Sequence, residues 1–447
     1  VSDPRVGSAR GFRLPVISTD AIAVAIIVAL WTRGVGSYIA FSLTTPKVFV
    51  AAGGQQPESA AFTAVTQGAF LLVVALCAFA VVFRINEVTR PGLWKIAVML
   101  VPWLWLLVRS AYAGDATPDS LLFPMLVLAF AALRPNPRVL MALGVLVGLT
   151  AVIAIILGLF LPDAGIVRES DGEFRVRTDK ETLPGLGLLQ GMFFSENTMA
   201  AFLSVGLASV FTIRWVWARL VLVAAVLFAV VWSSSRGGIV TAVGMLGTGC
   251  VVGLLVLFQR RGWASMAARG AAAITFLFAA TLALWGWDDD AFSARGIIWR
   301  VSLSEWTKRS FWFGLDPGWY ARMANTETSP LHAGAVHGHN DMVQMLVTGG
   351  IVLGVMFIIW YAMIAWDITP AWSRYLPIAA MLLVGIAASG ALEVVTGFVD
   401  GSSQWPVSLV PLVVLFFARR TDLQFGGETW KSSTARPRAQ KSHRPLA

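Results

Sequence analysis

Apolar residues along this chain come in long blocks broken by short polar punctuation, without the strict alternation of a half-buried strand. A helix that crosses a membrane needs about 20 mostly apolar residues. Blocks that meet or approach this length are 16–40, 62–84, 94–111, 120–133, 139–161, 190–213, 216–234, 238–258, 270–287, 342–366, 375–398 and 406–418. The pattern predicts an all-α, polytopic membrane bundle of about 12 transmembrane helices. Two blocks, 120–133 and 406–418, are short. Region 34–52 is interrupted at Thr44, Thr45, Pro46 and Lys47, and reads as the end of the first helix followed by a re-entrant or interfacial piece. The first block lacks a small-residue cleavage site and is expected to remain as the first span. No repeat of fixed period is found, which argues against a solenoid.

Composition agrees: 57% of the 447 residues are hydrophobic and 13% charged, against roughly 25% charged in soluble domains. Nineteen Trp and 27 Phe suit aromatic belts at the membrane surfaces. The net charge of +9 does not point to nucleic acid, because the basic residues sit in clusters between apolar blocks and read as topology signals. With the N-terminus inside, 21 of the 34 Lys and Arg fall on the cytoplasmic side. Both termini are then cytoplasmic. The layout is a cytoplasmic 1–15, a membrane domain over 16–418, and a basic tail over 419–447 suited to anionic lipid. Nine of the 13 outer basic residues lie in two long outer loops, 162–189 and 288–341, the second expected to hold short helices. Cys77 and Cys250 lie in apolar runs, so no disulfide framework is expected.

Four places could carry chemistry. Ser233-Ser234-Ser235-Arg236-Gly237-Gly238 combines backbone N–H groups with a fixed cation and suits a phosphate-type anion, or is a tight turn with a snorkelling arginine. Arg295, Trp299 and Ser302 share one helical face beside Arg300, Glu305 and Trp306; this helix could aim Arg295 into the bundle or serve as an interfacial anchor. His337-Gly338-His339-Asn340-Asp341 offers a general base, with Asn340 and Gln344 placed to orient a substrate, or a helix cap. Metal binding by His337, His339 and the more distant His332 would need carboxylates, of which the nearby sequence offers Asp341 and Glu327; no metal or cofactor is expected. Glu393, in the 375–398 block, and the Phe194-Ser195-Glu196-Asn197 segment put carboxylates at membrane depth, for function or for pairing with an arginine such as Arg109.

Asn197 in F-S-E-N-T-M-A, the S-S-S-R-G block ending in Arg236, the R-x-x-x-W box at Arg295 and Trp299, the G-x-D-P-G-W-Y run over 314–320 and the H-N-x-x-x-Q box at His339 occur in that order. The set resembles the O-antigen ligase and polymerase superfamily, integral-membrane glycosyltransferases of the bacterial envelope. Gly314-Leu315-Asp316-Pro317-Gly318 departs modestly from the family's G-x-G-P/x-G. The resemblance implies a ligase of the Gram-negative inner membrane, acting on the periplasmic face. Its donor would be O-antigen on undecaprenyl pyrophosphate and its acceptor lipid A-core. It also implies metal-free, inverting transfer, with His339 as base and Arg236 and Arg295 holding the pyrophosphate. His337, Asn340, Arg300, Asn197, Ser235, Trp299, Arg168 and Glu393 are expected to contact substrate. The ligase is favoured because 13 basic outer residues match a phosphate-bearing lipid acceptor. An O-antigen polymerase and a protein O-oligosaccharyltransferase share the boxes. A transporter of lipid-linked glycans is the alternative of another class, weakened by polar residues crowding one membrane face rather than the midplane.

Overall fold

The computed structural model describes residues 18–45, 59–170, 174–176, 180–329, 331, 337–399 and 403–424. Its regular structure is helical apart from one small hairpin. Helices begin where an oxygen-bearing side chain meets an apolar block. Ser18, Ser59 and Thr89 accept hydrogen bonds from the N–H groups of Ala21, Phe62 and Gly92, donors that the helix itself leaves without partners.

Helix α1 (Thr19–Trp31) passes through a π-turn at Thr32–Gly36 into α2 (Ser37–Thr44), so the first span runs past its expected end. The interfacial piece expected beyond Thr45 falls outside the described residues. Next come α3 (Ala60–Arg84) and α4 (Arg90–Ala113), the latter closed by Gly114 in the left-handed conformation. Helices α5 (Leu122–Leu133), α6 (Leu140–Phe160) and the single turn α7 (Pro162–Gly165) lead into the first long loop. There β1 (Arg168–Ser170) pairs antiparallel with β2 (Phe174–Val176). Four helices follow: α8 (Glu196–Val210), α9 (Val216–Trp232), α10 (Arg236–Leu257) and α11 (Arg261–Leu282). The second loop holds α12 (Ala291–Arg309) and α13 (Trp319–Ala324), the short helices expected of it. The chain ends in α14 (Asp341–Ile368), α15 (Leu376–Gly390), α16 (Leu409–Phe417) and the turn α17 (Arg420–Leu423).

Each of the 12 expected spans contains a helix. Among the described residues, seven helical runs are long and apolar enough to cross a membrane, and shorter apolar helices lie beside them. Helices α8 and α15 form the buried centre, with α10 and α11 packed against α15, and α6 and α10 against α8. The outer helices turn Leu71, Phe83, Val240, Leu257, Ile274 and Leu277 outward, as a lipid-facing surface requires.

Two features shape the end of the bundle that carries the long loops. Helix α14 is broken at Gly350, where φ is +74°. The 310–315 segment enters this break: Ile351 N–H donates to the Phe311 carbonyl at 3.0 Å and Leu315 N–H to that of Val347 at 2.6 Å. A Cβ at Gly350 would overlap the Trp312 carbonyl, so only glycine allows this approach. Arg109 of α4 binds the carbonyls of Gly314 and Leu315 at 2.9 and 3.2 Å, securing the same segment. At the opposite end, Lys95 reaches Asp367 at 2.6 Å and the Phe416 carbonyl at 2.5 Å. Arg269 there lies 3.8 Å over the Trp366 ring.

Candidate active site

The Ser233–Arg236 turn joins α9 to α10, and its three hydroxyls are spent on local structure. Ser233 donates to the Val230 carbonyl at 2.6 Å, and Ser234 accepts from Thr182 N–H at 2.8 Å. Ser235 donates to Asn197 Oδ1 at 2.8 Å while capping α10 through Gly238 N–H. With the serines so committed, Arg236 stands exposed at the first position of α10. It has no ion-pair partner among the described residues. Arg236 lines a cavity of about 540 Å3 together with Lys180, Asn197, Ser235 and Arg295, opposed by Glu196 and Asp290. Three cations beside the positive end of a helix, set against two carboxylates, suit this cavity to an anion.

Arg295 is buried at one wall of that cavity. Its Nη2 meets Glu393 Oε1 at 2.5 Å and its Nη1 donates to the Phe292 carbonyl at 2.9 Å. The other oxygen of Glu393 lies 3.4 Å from His339 Nδ1. Burial alone would raise the Glu393 carboxyl; His339 and Arg295 outweigh it and hold it down at about 2. Burial, with His339 and Arg295 close by, holds the His337 imidazole down at about 3, against the pull of Glu393. His337 is therefore neutral at physiological pH. It faces a second cavity, of about 480 Å3, which Glu393 also lines. The Arg295–Glu393 pair thus forms the wall between the two cavities.

The turn carrying both histidines is gripped on every side. Trp299 Nε1 donates to the Gly338 carbonyl at 3.1 Å and Gly338 N–H donates to Gln344 Oε1 at 2.8 Å. His339 N–H donates to His337 Nδ1 at 3.2 Å, and His339 adopts φ +44°, a strained backbone for a non-glycine residue. Asn340 caps α14 through Val343 N–H, and its amide nitrogen donates to the carbonyls of Ala279 and Ala391 at 2.9 and 3.0 Å. Asp341 Oδ1 accepts from Val395 and Thr396 N–H at 3.1 and 3.3 Å. Asn340 and Asp341 therefore hold the backbone on both sides of Glu393.

The expected site residues divide accordingly. Arg236, Arg295, Asn197 and Ser235 line the first cavity, and His337 and Glu393 the second. His339 adjoins the wall through Glu393. Trp299 and Asn340 are buried, line neither cavity and spend their polar atoms on main chain. Arg300 is exposed, in a two-pronged pair with Asp289, and lines neither cavity. Arg168 sits on β1 opposite Val176, its side chain outside the described residues. Glu393 departs from expectation twice. Its partner is Arg295 rather than Arg109, and it lies beyond the end of α15 rather than inside a spanning helix. Sequence reading missed Asp115, which lines the second cavity, and Asp316, which pairs with Arg322. The one signal for Asp115 is its place just after the Gly114 cap.

The ligating atoms of His337, His339 and Glu393 lie within 4.8 Å of one another, close enough to share a cation. The carboxylates expected from the nearby sequence, Asp341 and Glu327, are not in this group, and His332 lies outside the described residues. Arg295, bound to Glu393, puts a permanent positive charge against any cation there.

A helical bundle with lipid-facing apolar flanks, broken at one end by two polar cavities, defines a polytopic integral membrane protein. Residues 220–358 match the family model described as O-antigen ligase, which supports membership of the O-antigen ligase superfamily, whose members are glycosyltransferase-like enzymes. The matched stretch contains Arg236, Arg295, His337 and His339 and stops short of Glu393. No curated protein matches the chain.

Proposed function

We propose that this protein is an O-antigen ligase. It transfers polysaccharide from undecaprenyl pyrophosphate to lipid A-core at the periplasmic face of the Gram-negative inner membrane, with both termini in the cytoplasm. One observation carries the reading: Arg295 lines the anion cavity beside Arg236 and, through Glu393, adjoins His339. Cations that would hold a pyrophosphate and an imidazole that would take a proton are thereby within one ion pair of each other.

The proposed reaction needs no metal and inverts the anomeric carbon. The tautomer of His339 with its proton on Nδ1, toward Glu393, leaves Nε2 as the basic nitrogen. As the acceptor hydroxyl attacks the anomeric carbon, Nε2 takes its proton. The bond from that carbon to the pyrophosphate oxygen breaks, and its electrons leave with the lipid diphosphate. Arg236, Arg295 and Lys180 meet the growing charge, the condition under which fixed cations lower a barrier. His337 Nδ1 already accepts from His339 N–H, so its remaining nitrogen carries the proton of the neutral ring and donates rather than accepts.

The deciding experiment is transfer by the purified full-length protein, with lipid-linked polysaccharide and lipid A-core in the presence of a chelator. A larger lipopolysaccharide product is expected. A product that forms from donor units alone, with no core, assigns the protein to polymerisation. Counterflow of intact lipid-linked donor without transfer assigns it to transport.

A further inference from the structure

The second cavity plays no part in holding the leaving group, and its chemistry is the opposite of the first. Asp115 and Glu393 give it carboxylates, Thr117 and Ser120 hydroxyls, and Gln344 and His337 uncharged nitrogen donors; among the described residues no Lys or Arg lines it. Gln344 is 7% exposed, and with its Oε1 taken by Gly338 its amide nitrogen has no hydrogen-bond partner among the described residues. Asp115 shares Arg322 with Asp316, so one guanidinium serves two carboxylates and the balance at this rim is negative. At about 480 Å3 the cavity is of a size that holds small-molecule ligands.

We propose that this cavity binds the terminal sugar of the acceptor and selects one rich in hydroxyls and free of phosphate. That the ligand is an acceptor rests on the transferase reading above; the selectivity rests on the lining alone. Carboxylates accept hydrogen bonds from sugar hydroxyls, and the neutral nitrogens of Gln344 and His337 donate to sugar oxygens. A phosphate ester would bring like charge against Asp115 and Glu393 in a partly buried space; their partners Arg322 and Arg295 are already committed to carboxylates, and no further cation among the described residues lines the cavity. The match between outer basic residues and a phosphate-bearing acceptor therefore does not extend to this pocket. Lys180, Arg236 and Arg295 serve the other cavity.

The test is equilibrium binding to the full-length protein in nanodiscs. The two probes are a neutral hexose trisaccharide and the same trisaccharide carrying one phosphate monoester. The wild type is expected to bind the neutral probe at least tenfold more tightly. Asp115→Lys should weaken the neutral probe and erase or reverse the preference, and Asp115→Asn, which keeps the shape, should narrow it. Equal or tighter binding of the phosphorylated probe, no saturable binding of the neutral one, or a preference that both variants leave intact overturns the proposal. Transfer measured on the same preparations separates the two readings. Discrimination in binding without any transfer counts against the transferase alone, and transfer without discrimination counts against the selectivity alone.

Discussion

Glu393 is the residue through which the rest of the site is connected. One oxygen is taken by Arg295 and the other faces His339 Nδ1, a buried nitrogen with no hydrogen-bond partner among the described residues. Replacing it by Gln keeps the volume but removes the charge that favours the Nδ1–H tautomer, and leaves Arg295 buried without its counter-ion. Glu393→Gln should lower kcat for transfer about 100-fold or more, as loss of a carboxylate that fixes a catalytic tautomer does elsewhere. It should change donor KM far less, and a steady-state titration that finds kcat intact removes Glu393 from the mechanism. Arg236→Ala and Arg295→Ala should each cost about 2.7–4 kcal/mol in the transfer barrier, the range for losing one donor to a developing anion. Membrane content by immunoblot should stay near normal for Arg236→Ala, because that side chain has no structural partner among the described residues. His337 gives a separate signature in stability. Its folded value, about 3, lies below the ordinary 6.5, so between those values the unfolded chain binds the extra proton. Stability should therefore fall as pH drops from 6.5 toward 3, by at most about 1.4 kcal/mol per pH unit from this group. Thermal unfolding of His337→Gln in detergent should be flatter than wild type across that window.

Helices were legible in the sequence and their ends were not, for reasons that particular residues make plain. An apolar run of about 20 residues has few alternatives in a chain this poor in charge, so all 12 expected spans hold a helix. The apolar run 375–398 nonetheless abandons helix at Gly390. Its later N–H groups go to the Asp341 carboxylate and the Ala391 carbonyl goes to Asn340, partners some 50 residues away that hydropathy cannot see. Helix α12 shows the same contrast. Its spacing correctly places Arg295, Trp299 and Ser302 on one buried face. Arg300 stands five residues from Arg295, about 140° around a helix of 3.6 residues per turn, and so turns to solvent and Asp289. The function of Asn340 follows from its bonds to two other elements, α11's Ala279 and the Ala391 turn. Asn340→Ala should lose the α14 cap and both ties. A loss of about 1–3 kcal/mol in stability is expected, within the range for a cap and for a buried group left unpaired. Activity should drop because Glu393 is no longer held. Asn340→Asp, which keeps the cap oxygen but cannot donate to the two carbonyls, should recover the cap without recovering activity. Recovery of both would show that the ties to Ala279 and Ala391 are dispensable.

At the scale of the whole molecule the two ends of the bundle have different chemistry, and that difference predicts how it sits in a membrane. The end bearing the long loops gathers both cavities, the strained turn at His339 and the aromatic shell around α12. The opposite end has short connections in which the basic residues do structural work, Lys95 on Asp367 and Arg269 on Trp366 and Thr369. Positive residues in short loops resist translocation far more than those in long ones. The clusters at Arg84 and Arg90, at Arg134 and Arg138 and at Arg260 and Arg261 are therefore expected to outweigh the basic residues of the two long loops in setting orientation. On the proposed function the Lys and Arg of the long loops would then lie on the outer side, where a lipid diphosphate would be released. In a background with Cys77 and Cys250 replaced, Thr307→Cys places a thiol on the exposed face of α12, and Gly262→Cys places one at the start of α11 in open space. A membrane-impermeant maleimide added to intact spheroplasts should label the cysteine at 307 and reach the one at 262 only after permeabilisation. The reverse pattern would put both cavities on the cytoplasmic side, where neither a finished O-antigen chain nor a periplasmic acceptor could reach them.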